Sequence, residues 1–406
     1  MALPVANPRP PFNITRASHV VLTARDLEAS RAFYADLLGF ITTEIADDAL
    51  YLRGLEERAH HSITIRREAG AAVCRRIGLR VFTDDDLKRA AEYFARGGFP
   101  VRWVEVPHQG KTLHVDDAIG TPLELCAQID EVPTRLQEFH HYKGASPLRL
   151  DHFQIVAQDV LKGTLFYTAL GFRLTEFTAT EGSDELWGTW LQRKGNPHDV
   201  VLANGRGPRL HHFAFTVPES RDIIHACDVA GSLRYPLERG PGRHGIGNAL
   251  FIYFRDPDGH RIELFLGHYQ AIDASHTPMR WDLSDTRRSQ LWGLPARASW
   301  FFEASEFPGQ PPIRPIEPAE QPLADGHEVR LGDRVVIGLG LGGQVDDLGS
   351  GEHARGIVVG IVAPVAQLDL GGAEFGQREV NDADGHGDNS EAMHFSSRLM
   401  VGEWCG

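Results

Sequence analysis

Two stretches of this 406-residue chain occur twice. "HVVLTARDLEASRAFYADLLGF" (His19 to Phe40) returns as "HFQIVAQDVLKGTLFYTALGF" (His152 to Phe172). Further along, "VDDAIGTPLEL" (Val115 to Leu125) returns as "RDPDGHRIELF" (Arg255 to Phe265), which sets Asp117 on Asp256, Gly120 on Gly259 and Glu124 on Glu263. An internal repeat constrains the fold more than any composition does, because both copies must build the same unit. Each copy opens with a histidine on an alternating apolar strand. Asp26 and Asp159 are expected to cap the amphipathic helix that follows, and Gly-Phe to end it. Short strands come next, up to a tight turn that enters a strand bearing one carboxylate. The expected class is α+β with mixed, curved sheets.

The repeats divide the chain into an N-terminal domain over 1–147 and a second domain over 148–305, whose aromatic segment 271–305 reads as a lid. A proline-rich linker follows over 306–322, then a β-rich tail over 323–406 of unassigned role. His386 and His394 lie in an acidic stretch of the tail and read as members of a solvated loop. The net charge of -14 argues against nucleic acid or an anionic membrane as partner. No apolar run is long enough to span a bilayer, the N-terminus has no signal-peptide core, and the four cysteines form no CxxC pair. A cytoplasmic protein with reduced thiols is the expectation.

Strand alternation decides which side chains share a face. In "DHFQIVA" His152 and Gln154 point away from Phe153 and Ile155; in "LHHFAFTV" His212 and Ala214 point away from His211, Phe213 and Phe215; in "HRIELFL" Glu263 points away from Ile262 and Leu264. The polar faces thus offer two imidazoles and one carboxylate, a facial triad suited to non-haem Fe(II) with open positions. A structural zinc site would want a fourth protein ligand. The first copy serves as a control: His19 matches His152 and Glu124 matches Glu263, but Arg76 falls where His212 stands. Arginine cannot ligate a cation, so the first copy is expected to be metal-free, with Glu124 paired to Arg76. On pattern alone, two metal-free copies remain the alternative.

These residues resemble the vicinal oxygen chelate superfamily, with its paired βαβββ modules. Within it, "ERGPGRHGIGNALFIYFRDPDGHRIELF", "GPRLHHFAF", "RKGNPHD" and "DTRRSQLWG" are similar to the type I extradiol ring-cleaving dioxygenases, nearest to the homoprotocatechuate (3,4-dihydroxyphenylacetate) 2,3-dioxygenase branch. The resemblance spans residues 15 to about 305 and leaves out the tail. It implies two tandem vicinal-oxygen-chelate domains, the second catalytic, with His152, His212 and Glu263 as ligands of Fe(II), or of Mn(II) as the alternative ion. It implies His198 as acid/base and His244 and Tyr253 as donors to substrate oxygens. Trp190 becomes a pocket wall, and Arg239 and Arg288, with Arg287 beside them, a clamp for a substrate carboxylate. Gln154 departs from the branch, which carries a shorter amide there. The partners implied are an aromatic vicinal diol and O₂, and the assembly a homo-oligomer, a tetramer by resemblance. A carboxylate-bearing catechol such as 3,4-dihydroxyphenylacetate is the expected substrate. A neutral catechol, a biaryl diol or a hydroxypyridone-like ring is the alternative. Two other readings of the fold are a glyoxalase-like isomerase, which needs a fourth ligand near the metal, and a metal-free small-molecule binding protein.

Overall fold

Four βαβββ modules follow one another in the chain. The first runs β1 (Ile14–Ala24), α1 (Leu27–Arg31, extended by a π-helical turn over Ala32–Leu37), β2 (Ile41–Ile45), β3 (Ala49–Arg53) and β4 (Ile63–Arg67). The second runs β5 (Cys74–Val81), α2 (Asp84–Arg96), β6 (Val101–Val104), β7 (Thr112–Asp116) and β8 (Pro122–Cys126). The third comprises β9 (Arg149–Ala157), α3 (Val160–Ala169), β10 (Arg173–Ala179), β11 (Leu186–Gln192) and β12 (Val200–Asn204). The fourth comprises β13 (Arg209–Thr216), α4 (Ser220–Ser232), β14 (Arg239–Arg243), β15 (Leu250–Arg255) and β16 (Arg261–Leu266). This computed structural model describes residues 2–183, 185–297 and 299–310, and in the tail the antiparallel strands at Arg334–Gly338 and Gly360–Pro364. His386 and His394 lie outside the described residues.

Modules pair into sheets in the order β2-β3-β4-β1-β5-β8-β7-β6 and, with β17 (Met279–Asp282) added at one edge, β14-β15-β16-β13-β9-β12-β11-β10-β17. The long first strands of paired modules run antiparallel down the middle, β1 on β5 and β9 on β13. The expected helix starts hold: Asp26 accepts from the backbone N–H of Glu28 and Ala29, and Asp159 from that of Lys162. One face of each sheet buries its apolar residues under the helices, with Phe153, Ile155, Phe213, Phe215, Ile262 and Leu264 all fully buried. The expected lid is partly regular: β17 pairs with β10, and α5 (Ser299–Phe302) and β18 (Ser305–Glu306) follow, with β18 on β13.

The repeated turns do more than end a module. Gly120 and Gly259 sit at φ +89° and +97°, a backbone region open to glycine at little cost, and each closes a loop on the carbonyl three residues before it. The aspartate of each turn is buried and accepts a hydrogen bond from the other half of the chain. Tyr167 donates to Asp117 at 2.9 Å, and Tyr34 donates to Asp256 at 3.0 Å. Each phenol comes from the Phe-Tyr pair of one half and each carboxylate from the turn of the other, so the halves clasp reciprocally. Burial pushes the Asp117 carboxyl up to about 6 and raises that of Asp256 as well. Removing either phenol leaves a buried acid short of a donor, at a cost of about 1–3 kcal/mol. Tyr34→Phe and Tyr167→Phe are each expected to lower the unfolding free energy by that amount, seen as a lower urea midpoint. Their equal effect, and additivity in the double variant, are read from the same melts.

Candidate functional site

His152 lies on β9, His212 on β13 and Glu263 on β16, strands that are neighbours in the sheet. Ala214 pairs with both His152 and Glu263, so its small side chain lets the larger ones converge above it. The Nε2 atoms of His152 and His212 each stand 3.2 Å from the same Glu263 oxygen, and the donor atoms of all three lie within 4.8 Å of one another. All three side chains are buried. The histidines hold the Glu263 carboxyl well below its ordinary range, against the opposing effect of burial.

Backbone irregularity fixes the orientation of both imidazoles. Along β9 and β13 the register slips at two places, leaving Asp151 and His211 as the extra residues of β-bulges. A bulge breaks strict alternation and turns a side chain toward a face it would otherwise miss. Asp151 Oδ1 then meets His152 Nδ1 at 3.0 Å, and His211 Nδ1 meets His212 Nδ1 at 2.8 Å. His211 Nε2 in turn lies 2.9 Å from the Trp300 carbonyl oxygen, which can only accept. The chain of donors is thereby set: His211 Nε2–H donates to Trp300, His212 Nδ1–H to His211, and His152 Nδ1–H to Asp151. Both Nε2 atoms are left with lone pairs aimed at one point, the arrangement a metal ion requires. Placing His211 on the packing face with Phe213 is therefore corrected. Asp151 is buttressed by Asn196 Nδ2 at 2.8 Å and by the ammonium of Lys194, which also donates to Asp199 at 2.6 Å. The Lys194 ammonium and the hydrogen bond from His152 hold the Asp151 carboxyl far below its usual range despite burial.

His198 precedes β12 and stacks edge-on against His152 with ring centroids 4.3 Å apart. It is buried, its Nδ1 has no protein partner, and burial pushes its basicity well down, so it is a neutral imidazole. His268 lies 4.7 Å from His198, is likewise neutral, and was not anticipated from sequence. On the other side, His244 stacks on Phe251 at 3.8 Å; its Nδ1 donates to the Ser289 carbonyl at 2.5 Å, leaving Nε2 to accept from the Tyr253 hydroxyl at 3.0 Å. Burial and the nearby Glu263 carboxylate keep Tyr253 a phenol.

Arg239 is buried between Phe251 and Trp300, with Nη2 held by the Ser289 carbonyl and Gln290 and Nε without a partner. Arg288 is half-buried and donates to the Leu283 carbonyl. Arg287 is exposed and forks onto Asp285, so it is not brought to the site. Gln154 pairs with His212 across the strands, and Trp190 lies on the face of β11 opposite Thr189, whose hydroxyl meets helix α3. The lid is tied down through buried Glu176, which accepts from Trp281 at 2.6 Å, Tyr269 at 2.9 Å and the Gly247 backbone at 2.8 Å.

The first half repeats the frame with other residues. Gly78 pairs with both His19 and Glu124, as Ala214 does with their counterparts, and Arg76 falls in the register of His212. A Cβ on Gly78 would lie 2.2 Å from the His19 ring. Ser18 is the bulge residue beside His19, its hydroxyl 3.2 Å from Nδ1. Glu124 does not pair with Arg76: it is taken by His19 at 2.9 Å, His114 at 2.7 Å and Gln109 at 2.9 Å, while Arg76 turns to the Leu123 carbonyl and Asp116. The expected Glu124–Arg76 pair is corrected on that ground.

The family model described as Glyoxalase/Bleomycin resistance protein/Dioxygenase superfamily matches residues 16–124 and 149–264. Homoprotocatechuate 2,3-dioxygenase from Arthrobacter globiformis superposes with a TM-score of 0.71 at 34% identity, covering 75% of this chain and 96% of that one. The Brevibacterium fuscum enzyme in complex with 3,4-dihydroxyphenylacetate gives 0.71 at 35%, with the same coverage. A manganese-dependent 2,3-dihydroxybiphenyl 1,2-dioxygenase from Geobacillus genomosp. 3 is 28% identical over 69% of this chain and 93% of its own length.

The buried neutral imidazoles have a measurable signature. His244 and His268 are held down to about 3 in the folded protein, against about 6.5 when unfolded. Between those values the unfolded chain binds more protons, so the stability they contribute is full above about pH 6.5 and lost as pH falls toward 3. His152 is shifted upward and works in the opposite sense. The metal-free protein is expected to melt at a lower temperature at pH 5 than at pH 7.5, and His244→Gln to flatten that difference in scanning calorimetry.

Proposed function

The chain belongs to the extradiol dioxygenases of the Glyoxalase/Bleomycin resistance protein/Dioxygenase superfamily, and we propose that it opens a carboxylate-bearing catechol such as 3,4-dihydroxyphenylacetate next to its diol at an Fe(II) held by His152, His212 and Glu263. The observation that carries this reading is the convergence of two tautomerically fixed Nε2 atoms and one carboxylate oxygen on a single buried point. Such a donor set fits Fe(II), and equally Mn(II), on which one relative depends by name. The ion would supply a Lewis acid that lowers the diol's pKa and a common holding point for diol and O₂.

The protein's own groups do the rest. His198 is neutral and buried beside the site, so it can take a proton from a diol hydroxyl and return it to the oxygen on which negative charge develops as the O–O bond breaks. Tyr253 remains a phenol and, with His244 accepting from it in the free protein, can turn its hydroxyl to a substrate oxygen without leaving a buried donor unpaired. Asp151 and His211 keep both ligand histidines in the tautomer that offers Nε2. The guanidinium of Arg239 lies in an aromatic cage with Nε free to donate, which favours a ring bearing an anionic substituent. The Glu176 clamp fixes Trp281 of the lid against β10.

His212→Ala is expected to lose both bound metal and diol consumption; an iron-loaded, active variant would sink the triad. His198→Asn should keep its metal but turn over about 10²–10⁴-fold more slowly, followed by anaerobic metal analysis and O₂ uptake. For the substrate, kcat/KM for 3,4-dihydroxyphenylacetate should exceed that for 4-methylcatechol, and Arg239→Gln should erase the preference. A wild-type preference for the neutral diol overturns the carboxylate assignment and leaves ring cleavage intact.

A further inference from the structure

A second histidine–carboxylate cluster lies in the N-terminal half, away from the residues of the proposed reaction centre. Glu44 projects from β2, His60 precedes β4, and His108 lies between β6 and β7. One Glu44 oxygen stands 3.0 Å from His108 Nε2 and 3.4 Å from His60 Nε2, and the three donor atoms lie within 4.8 Å of one another. The far nitrogens are engaged as they are in the catalytic half. His108 Nδ1 meets Asp130 at 3.2 Å, a carboxylate behind an imidazole like Asp151 behind His152. His60 Nδ1 meets the buried, neutral His61 at 3.3 Å, an imidazole behind an imidazole like His211 behind His212. His108 Nε2 is thereby free to carry a lone pair toward Glu44, whereas the Gln109 amide nitrogen lies 3.4 Å from His61 Nε2, so neutral His61 donates from Nδ1 to His60 and an ion displaces the proton of His60 Nε2.

The backbone holds this cluster ready. His60 N–H donates to the Asp130 carbonyl and Asp130 N–H to the His108 carbonyl, both at 2.8 Å, so one residue ties the two histidine loops together. His108 sits at φ +63°, uncommon for a residue with a Cβ and a mark of a position fixed by its surroundings. Tyr51, paired across the strands with Glu44, packs its ring against both His60 and His108. The two imidazoles stack 3.7 Å apart at 11°, so an ion lying in the plane of both needs one ring to tilt. Partly exposed His108 has room for that turn, and Glu44 opens the cluster to solvent.

We propose that Glu44, His60 and His108 bind a divalent first-row transition ion, Zn(II) by preference, completed by solvent. Two imidazoles and a carboxylate suit Zn(II), which has no redox chemistry and accepts tetrahedral coordination. The position suggests its role. β2 and β6 are opposite edges of the eight-stranded sheet, so an ion shared by Glu44 on β2 and His108 in the loop leaving β6 closes the open side of that sheet. The site therefore supports the half that lacks the His212 equivalent and takes no part in ring cleavage.

Elemental analysis of the full chain equilibrated with Zn(II) tests this independently of catalysis. Wild type is expected to retain two ions per chain, and His212→Ala one. Adding His108→Gln to His212→Ala should weaken that remaining ion at least about tenfold by titration, with circular dichroism unchanged. Zn(II) should raise the melting temperature of His212→Ala but not of the double variant. His212→Ala that holds no Zn(II), or whose ion is lost on His141→Ala in the surface cluster with Glu138 and is indifferent to His108→Gln, overturns the proposal. Failure of ring cleavage on any catechol would leave this result untouched.

Discussion

Two hydrogen bonds to the far side of two imidazoles determine what this molecule can do. A histidine with both nitrogens unconstrained can present either a proton or a lone pair to a cation. Asp151 and the His211–Trp300 pair remove that freedom by accepting from Nδ1, so that lone pairs face Glu263. Both restraints come from single inserted residues in the central strands. The insertion costs a ladder position, and in return a polar group sits beside its neighbour on the same face, which regular pleating forbids. Lys194 and Asn196 then stabilise the charge that Asp151 must carry in a buried place.

The first half keeps the bulges and carries a different set of side chains on them. Ser18 stands behind His19 as Asp151 stands behind His152, but the other bulge carries Arg75, which faces Glu68 at the surface. With Arg76 in the register of His212, the remaining histidine and carboxylate satisfy one another together with His114 and Gln109. The result is a closed polar network in which every Glu124 oxygen is used. One backbone frame thus supports either an open donor set or a self-satisfied one, and the residues beside the bulges decide which.

Much of this was legible in the chain. The repeat marked the two halves, the aspartate caps and the glycine turns, because these depend on local chemistry, while the second helix of each half, α2 and α4, fell in a stretch read only as short strands. Alternation put His152, His212 and Glu263 on one side of the sheet, and the resemblance pointed to His198, His244 and Tyr253. What escaped notice follows from physical causes. Asp151 and His211 adjoin His152 and His212 in sequence, yet a strict period of two sends them to the wrong face, and only the register slip brings them back. His268, Trp300 and Ser289 act across tens of residues, where no local period exists. Arg287 and Arg288 look alike in sequence, and a neighbouring Asp285 claims the first of them at the surface. The pairing of Glu124 with Arg76 failed because three nearer donors, His19, His114 and Gln109, reach the carboxylate first.

The crossed clasp of Tyr34 with Asp256 and Tyr167 with Asp117 bears on the history of such a chain. A duplicated unit whose copies merely adjoin can shed one after it loses its chemistry. Here each copy ends in an acid that is buried by, and bonded to, the other copy's helix. Deleting the silent copy would strip Asp256 of its donor and open the core under α4 to water. The half with Arg76 in the register of His212 is therefore an obligate structural companion of the other: its polar interior can change, but its helix and its turn cannot be removed without exposing the other half's buried acid and core.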